Sequence, residues 1–174
     1  MMKLLNALGF QAGWWACIAG VARGLEIEAI IFCFCLISIH LYFSKNPLLE
    51  VKMGLVGLLL GVWVDTGLQY FSVMGFYGWA LGPLSPFWLW TIWVMFALTL
   101  NSSLAFLQSQ PLFLSGGLGM IFGPMTYYAG AKLGAADLDD SINHIVCLGV
   151  AWTLAMPLMV FIAQQLSLTP KDNT

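Results

Sequence analysis

Long apolar runs dominate the chain and recur at regular intervals along it. A helix that crosses a bilayer needs about 20 mostly apolar residues, and six stretches meet this requirement. Their approximate bounds are 4–22, 25–43, 51–71, 87–107, 112–132 and 144–166. The runs are continuous and do not alternate apolar with polar residues, which argues against a transmembrane barrel. The pattern therefore predicts an all-α polytopic membrane protein, a bundle of six transmembrane helices.

The composition favours the same class. Of the 174 residues, 60% are hydrophobic and 8% are charged, whereas a soluble domain has about 25% charged residues. So few charges exclude a soluble globular enzyme and a disordered tail. The net charge of -2 gives no basic surface for a nucleic acid, so none is expected as a partner. No domain boundary or internal repeat is evident, and residues 1–174 are interpreted as one integral membrane domain.

Lysine and arginine in short loops predict the orientation, because cytoplasmic loops carry an excess of both. With an even number of spans, the two termini lie on one side of the membrane. That side carries Lys3, Lys45, Lys52 and Lys171, and the other side carries Arg23 and Lys132. The sequence therefore predicts that both termini are cytoplasmic.

The connection between the third and fourth spans, SVMGFYGWALGPLS, contains aromatic residues and glycines but no charge. Trp and Tyr prefer the headgroup level of a bilayer, which favours a loop that lies on the outer interface. A re-entrant segment that lines a cavity is the alternative interpretation.

The sequence contains no strong motif for a metal or a cofactor. The acidic loop after the fifth span has Asp137, Asp139, Asp140 and His144, but their spacing fits neither a calcium loop nor the usual zinc pattern. Asp140 or Ser141 is instead expected to cap the sixth helix. All four cysteines lie in apolar stretches and are interpreted as packing residues. No metal and no cofactor is therefore predicted.

Small residues form stripes at three- and four-residue steps in the first, third and fifth spans. Membrane helices associate through such residues because they let the backbones approach. The stripes comprise Asn6, Gly9, Gly13, Ala16, Gly20 and Gly24; Gly54, Gly57, Gly61 and Asp65; and Gly116, Gly119, Gly123, Gly130 and Gly134. We expect these three helices to form a tight inner cluster, with Asp65 on a packed face. Pro124 and Pro157 predict bends that either shape the packing or face a ligand.

The polar residues within the spans sort into two layers at about 1.5 Å of depth per residue. The outer layer comprises Asp65, Tyr127 and Glu28, with Arg23, Glu26, Gln69 and Lys132 near the outer ends; Asn6, His40 and Asn101 lie in the inner half, and Gln11 lies near the centre. A buried carboxylate usually finds a partner. The outer layer therefore predicts either an ion pair of Lys132 or Arg23 with an acid, or a small polar pocket. The inner layer predicts interhelical hydrogen bonds or a cluster that orients a ligand.

Four strings follow one another along the chain: NALGFQAGWW, GVWVDTGLQ, FALTLNSSLAFL and FGPMTYYAGAKLGA. In this order they resemble an uncharacterised family of small bacterial inner-membrane proteins known as domain of unknown function 2878. The resemblance covers about residues 6–135. It implies that Asn6, Gln11, Asp65, Asn101, Tyr127 and Gly130 are recurring positions. It also implies a Gram-negative inner membrane and, because members are typically encoded near cyclopropane-synthase-type genes, a setting in lipid chemistry. It implies no catalytic activity.

The leading functional hypothesis is a small inner-membrane protein that binds a small or lipid-like ligand in an outer-leaflet polar pocket around Asp65. The candidate binding residues are Asp65, Tyr127, Lys132, Glu28, Arg23, Asn101, Asn6 and Gln11. One alternative is a membrane-embedded, lipid-modifying enzyme in which Asp65 and either Tyr127 or Lys132 form an acid–base pair. Another is an accessory or structural subunit of a membrane complex. The expected partners are the lipid bilayer, a lipid or small-molecule ligand, and other membrane proteins.

Overall fold

The computed structural model describes residues 2–139 and 141–168. The described residues are 78% helical, which confirms the all-α class. The helices are α1 (Met2–Arg23), α2 (Glu26–Phe43), α3 (Pro47–Tyr70), α4 (Phe87–Thr99), α5 (Leu112–Lys132) and α6 (Ile142–Leu168), with a short 3-10 helix at Ala105–Ser109. Two short strands, β1 (Gly75–Phe76) and β2 (Ala136–Asp137), pair antiparallel. The expected cap at Asp140 and the charge at Lys171 lie outside the described residues.

Four helices, α1, α2, α3 and α6, are long and apolar enough to cross a membrane. The bounds of α5 match the predicted span, and its 21 residues reach about 31 Å at 1.5 Å per residue. It is not one of those four, since its glycines, tyrosines and proline replace more apolar side chains. The structure thus describes a membrane-type helical protein, and six crossings are not confirmed.

The prediction of one continuous span over residues 87–107 is wrong. Helix α4 has 13 residues and is about 20 Å long, whereas the hydrocarbon core is about 30 Å thick. The helix ends where polar residues begin. The Thr99 hydroxyl donates to the Phe96 carbonyl (2.6 Å), and the Leu104 amide turns back to the Thr99 carbonyl (2.8 Å). Residues 100–109, which we call the inner segment, continue as turns and the 3-10 helix.

The glycine stripes pack against tryptophans on the following helix. A Cβ on Gly61 of α3 would lie 2.1 Å from Trp93 Cγ of α4, and a Cβ on Gly123 of α5 would lie 2.2 Å from Trp152 Cγ of α6. A Cβ on Gly57 would lie 2.6 Å from the Trp93 carbonyl oxygen, and a Cβ on Gly119 would lie 2.4 Å from the Trp152 carbonyl oxygen. Only glycine leaves room for an indole at these positions.

This packing corrects the expectation that α1, α3 and α5 form one inner cluster. The most extensive helix contacts join α1 to α2, α3 to α4 and α5 to α6, so the small-residue faces of α3 and α5 are covered by the next helix of their own hairpin. In α1, Gly13 faces Cys33 of α2 and also Met95 of α4. Both prolines lie where α5 packs on α6. A Cβ on Gly116 of α5 would lie 3.8 Å from Pro157 Cγ, and a Cβ on Gly149 of α6 would lie 3.8 Å from Pro124 Cγ.

The α3–α4 and α5–α6 hairpins share one arrangement that sequence reasoning missed. Each has two glycines four residues apart, a hydrogen-bonding residue four positions later (Asp65 or Tyr127), and a tryptophan opposite. The hairpins meet through these matching parts. Trp93 stacks on Trp152 with ring centroids 4.8 Å apart, and β1 pairs with β2. The repeat escapes detection because only the two glycines and the tryptophan are shared, and the hydrogen-bonding position carries Asp65 in one hairpin and Tyr127 in the other.

Residues 71–86 cross the end of the bundle at which α3 ends, and we call this the outer end. The Tyr77 hydroxyl donates to Asp137, which raises the pKa of Tyr77 above its ordinary value. The Trp79 amide donates to the buried Glu26 carboxylate (2.9 Å), and Trp88 Nε1 donates to the Tyr77 carbonyl (2.7 Å). These contacts favour a loop across the helix ends over a re-entrant segment.

Candidate functional site

A cavity of about 650 Å³ lies between α1 and α5. It forms because α1 packs on α2 and α4 whereas α5 packs on α6, which leaves α1 and α5 apart. Helices α4 and α6 form its back wall, Met74, Phe76 and Ala136 close its outer end, and the inner segment closes its inner end. Its wall is mainly apolar and rich in aromatic side chains, which include Phe10, Trp14, Trp15, Trp88, Trp93, Phe96, Phe106, Phe122, Tyr127 and Trp152.

The dimensions and opening of the cavity suit a chain-like apolar molecule. Its lining along α5 runs from Leu118 to Gly130, which corresponds to about 18 Å. One leaflet of the hydrocarbon core is about 15 Å thick. Exposed residues of both helices form the rim, including Trp15 of α1 and Met125 of α5. The cavity therefore opens sideways, between α1 and α5, on the exposed side surface of the bundle.

Asp65 lies behind the cavity wall and is fully buried, which confirms that it occupies a packed face. The Tyr127 hydroxyl donates to Oδ1 of this carboxyl group, and Trp93 Nε1 donates to Oδ2 at 2.8 Å. Trp152 packs edge-on against Tyr127, with ring centroids 6.2 Å apart. Tyr127 and the two tryptophans line the cavity, whereas Asp65 does not. Asp65 therefore fixes the rings that form the wall.

The other outer candidates do not converge on Asp65. Lys132 lies over the ring of Tyr128 (5.0 Å to the centroid), and Arg23 and Glu28 are exposed. The expected ion pair of Asp65 with Lys132 or Arg23 is therefore wrong. Lys132 lies five residues beyond Tyr127, about 7.5 Å further outward. Hydroxyl and indole donors satisfy the carboxyl group without drawing a cation into the hydrocarbon region.

Gln11 is exposed on α1 and lines the cavity. Thr126 lies on the opposite rim, where its hydroxyl donates to the Phe122 carbonyl (2.6 Å). Of the candidates, Gln11 and Tyr127 thus border the cavity directly. Tyr127 is also the only titratable side chain among the described residues that line it.

Asn6 and Asn101 belong to a hydrogen-bonded cluster at the inner end of the bundle. Asn6 Oδ1 accepts from the Ser103 hydroxyl (2.6 Å) and amide (3.3 Å), and Asn6 Nδ2 lies 3.3 Å from His40 Nδ1. His40 Nε2 lies 3.5 Å from Glu50 Oε2, which also accepts from Asn101 Nδ2 (3.4 Å). The polar residues of the inner layer therefore form interhelical hydrogen bonds, which is one of the two roles predicted for them.

Sequence reasoning missed Glu50, Trp93 and Trp152. The predicted third span begins only after Glu50. Helix α3 instead begins at Pro47, and Glu50 is a buried residue of its first turn. An acidic residue in a first helical turn next to a predicted span was the available signal for Glu50. For Trp93 and Trp152, the signal was a bulky residue on the helix after each glycine stripe.

Comparisons with known proteins give a family and no function. A family model described as "Protein of unknown function (DUF2878)" matches residues 3–158. No curated protein and no solved structure matches the chain. Because the match covers most of the chain, the protein belongs to this family.

Proposed function

We propose that this member of the DUF2878 family is an integral membrane protein that binds one lipid-like chain in the cavity between α1 and α5. The observation that carries the proposal is the cavity itself. It is about 650 Å³ in volume, it opens sideways, and its length is close to that of one leaflet. Ligand pockets of this kind are mostly apolar, with few polar groups.

Asp65 supports this site indirectly. By accepting from Tyr127 and Trp93, it holds rings from two hairpins in one wall. The proposed ligand therefore contacts Tyr127, Trp93 and Trp152, and it does not touch Asp65. This differs from a polar pocket centred on the carboxyl group, because both of its oxygens already have protein donors.

The same hydrogen bonds favour binding over catalysis. A general acid or base must lie within hydrogen-bond reach of the reacting group. The Tyr127 hydroxyl is already bonded to Asp65, and Lys132 lies over Tyr128 outside the cavity. The acid–base pair that a lipid-modifying enzyme needs thus finds no support in the described residues.

For the membrane arrangement, we propose six crossings in a bacterial inner membrane with both termini in the cytoplasm. Helix α4 and the inner segment together complete the fourth crossing, and α5 is the fifth. Support comes from the basic residues, since Lys3, Lys45 and Lys52 lie near the inner end whereas Arg23 and Lys132 lie near the outer end. This distribution follows the excess of Lys and Arg on the cytoplasmic side.

The test is a variant that fills the cavity. Ala129 of α5 lines the cavity, so Ala129→Phe places a ring in the space that the ligand needs. The matched control is Ile121→Phe, because Ile121 lies on the same helix but is 57% exposed and does not line the cavity. Binding is measured with dibromostearate, whose bromines quench tryptophan fluorescence on contact, using purified full-length protein in detergent.

We expect saturable quenching in the wild type and in Ile121→Phe, and at least a tenfold weaker response in Ala129→Phe. Lipids extracted from each purified variant provide a second measurement, in which Ala129→Phe is expected to retain less co-purified lipid. Equal quenching in the wild type and Ala129→Phe, with equal lipid retention, would contradict the proposal.

A further inference from the structure

The hydrogen bonds of the inner cluster fix the protonation state of His40. A backbone N–H can only donate, so the contact from the Ser103 amide makes Asn6 Oδ1 an acceptor. The amide nitrogen of Asn6 therefore faces His40 Nδ1 as a donor (3.3 Å). Nδ1 must then carry a lone pair, which places the imidazole proton on Nε2. His40 is thus neutral in this arrangement.

Glu50 is the charged group that faces His40 in the described structure. His40 Nε2 lies 3.5 Å from Glu50 Oε2 but makes no hydrogen bond to a described residue. Helix α1 contributes the neutral Asn6, and α4 contributes the apolar Met95 and Leu98 to the small pocket beside the imidazole.

The cluster lies near the inner ends of α2 and α3, since His40 is in the last turn of α2 and Glu50 is in the first turn of α3. The His40 and Glu50 side chains keep 14% and 8% of their surface exposed. Lys45 and Lys52, the nearest basic residues in sequence, are exposed.

The cluster holds the inner segment, which closes the inner end of the cavity through Leu104, Phe106 and Leu107. Ser103 ties this segment to Asn6 of α1. Three further ties join it to other helices in the described structure. Asn101 donates to Glu50 of α3, and from α6 Gln164 donates to the Gln108 carbonyl (2.7 Å) and the Ser167 hydroxyl donates to Gln108 Oε1 (3.3 Å). The Ser103 tie is the one that depends on the orientation of the Asn6 amide, and hence on His40.

We propose that His40 and Asn6 form a proton-operated latch on the inner segment. A proton from water adds to His40 Nδ1, which then becomes a donor facing the donor nitrogen of Asn6. The Asn6 amide turns over so that its oxygen accepts from His40, and its nitrogen then faces Ser103. The Ser103 amide loses its acceptor, while the imidazolium retains Glu50 as a counter-ion. The inner segment is consequently held less tightly at low pH.

The consequence for ligand binding rests on the proposed function, because a looser inner segment would weaken retention of a chain in the cavity. The latch itself is tested without a ligand. The measurement is hydrogen exchange of the peptide that contains Ser103, in the purified full-length protein, at about pH 8 and about pH 5.5, a range over which histidine is the side chain that typically changes charge. Each rate is divided by the exchange rate of the unfolded peptide at the same pH.

The variants separate the latch from general acid effects. The chain has two histidines, so His144→Asn is the matched control for His40→Asn. An asparagine at position 40 offers a carbonyl oxygen near the place of Nδ1 and accepts from Asn6 at either pH. Asn6→Asp replaces the donor nitrogen with an acceptor, so one oxygen accepts from Ser103 and the other accepts from a proton on His40 Nδ1, which both the neutral ring and the imidazolium can carry.

We expect protection at Ser103 to fall about fivefold on acidification in the wild type and in His144→Asn, as for the loss of one hydrogen bond. His40→Asn and Asn6→Asp should both keep high protection at both pH values, because in each variant the Ser103 amide retains its acceptor. The latch is overturned if His40→Asn responds like the wild type, if the response disappears in His144→Asn, or if the wild type does not respond.

The Asn6→Asp variant keeps the test decisive if His40→Asn fails to fold, because the latch predicts that its acid response is lost as well, and a response like that of the wild type overturns the latch. Dibromostearate quenching at the two pH values shows which idea fails. A His40-dependent change at Ser103 without any quenching would refute the proposed function and leave the latch in place. Quenching by dibromostearate without that change would refute the latch alone.

Discussion

The hydrogen bond between Tyr127 and Asp65 joins two hairpins, and a double-mutant cycle measures its contribution to stability. Tyr127→Phe leaves Oδ1 of the fully buried Asp65 without its donor, which costs about 1–3 kcal/mol. Asp65→Ala leaves both the Tyr127 hydroxyl and Trp93 Nε1 unsatisfied, so we expect a loss of about 2–5 kcal/mol. Because the double variant removes both partners, the coupling energy should be about 1–1.7 kcal/mol, near the upper range for interhelical hydrogen bonds in membranes.

The assay is reversible unfolding in mixed micelles, in which added SDS unfolds the protein and circular dichroism follows helix loss. Tyr128→Phe is the control, since Tyr128 is the next residue and 42% exposed. It should change the free energy of unfolding by less than about 0.5 kcal/mol. If Tyr127→Phe behaves like Tyr128→Phe, or the coupling energy is near zero, the view that this bond joins the hairpins is refuted.

Two further predictions test packing and membrane arrangement. Gly123→Ala should lower the free energy of unfolding by about 2 kcal/mol or more, as overpacking does, because its Cβ would meet Trp152. The control is Gly117→Ala, whose Cβ meets nothing within 4 Å, so it should be neutral or stabilising by up to about 1 kcal/mol. Equal effects of the two variants in the SDS assay would refute the close approach of Gly123 to Trp152. A cysteine that replaces the exposed Asp139 should react with an impermeant maleimide added from the periplasmic side. A cysteine that replaces Lys45 should react only after the membrane is opened. The reverse result would contradict the proposal that both termini are cytoplasmic.

The sequence predicts the burial of Asp65 well, for a physical reason. Residues at four-residue steps share one helix face, so a carboxyl group in line with Gly57 and Gly61 shares their packed face. The same argument applied to α5 places Tyr127 in line with Gly119 and Gly123. Periodicity along one helix requires no knowledge of its neighbours, and this is why these positions could be derived without a structure.

The partner of each face could not be derived in the same way. Whether Gly61 meets α4 or another glycine-rich helix depends on how the hairpins assemble, and the stripe carries no information about that. The break after Thr99 has a similar origin. An apolar average over residues 87–107 predicts a span, but Ser103 and Asn101 find acceptors on α1 and α3, and these bonds favour the turn. Lys132 illustrates the same limit, since its place over Tyr128 depends on side-chain geometry.

Two polar clusters lie at opposite ends of one apolar cavity, and this explains how the cavity remains open. Asp65, Tyr127 and Trp93 hold the wall near the outer half, and Asn6, Ser103 and Glu50 hold the segment at the inner end. Apolar packing alone would favour closure, since an empty space forfeits dispersion contacts along its lining. Directional hydrogen bonds fix the distance between hairpins, so α1 cannot approach α5 without breaking them. The polar residues therefore maintain the space, and the apolar residues determine what can fill it.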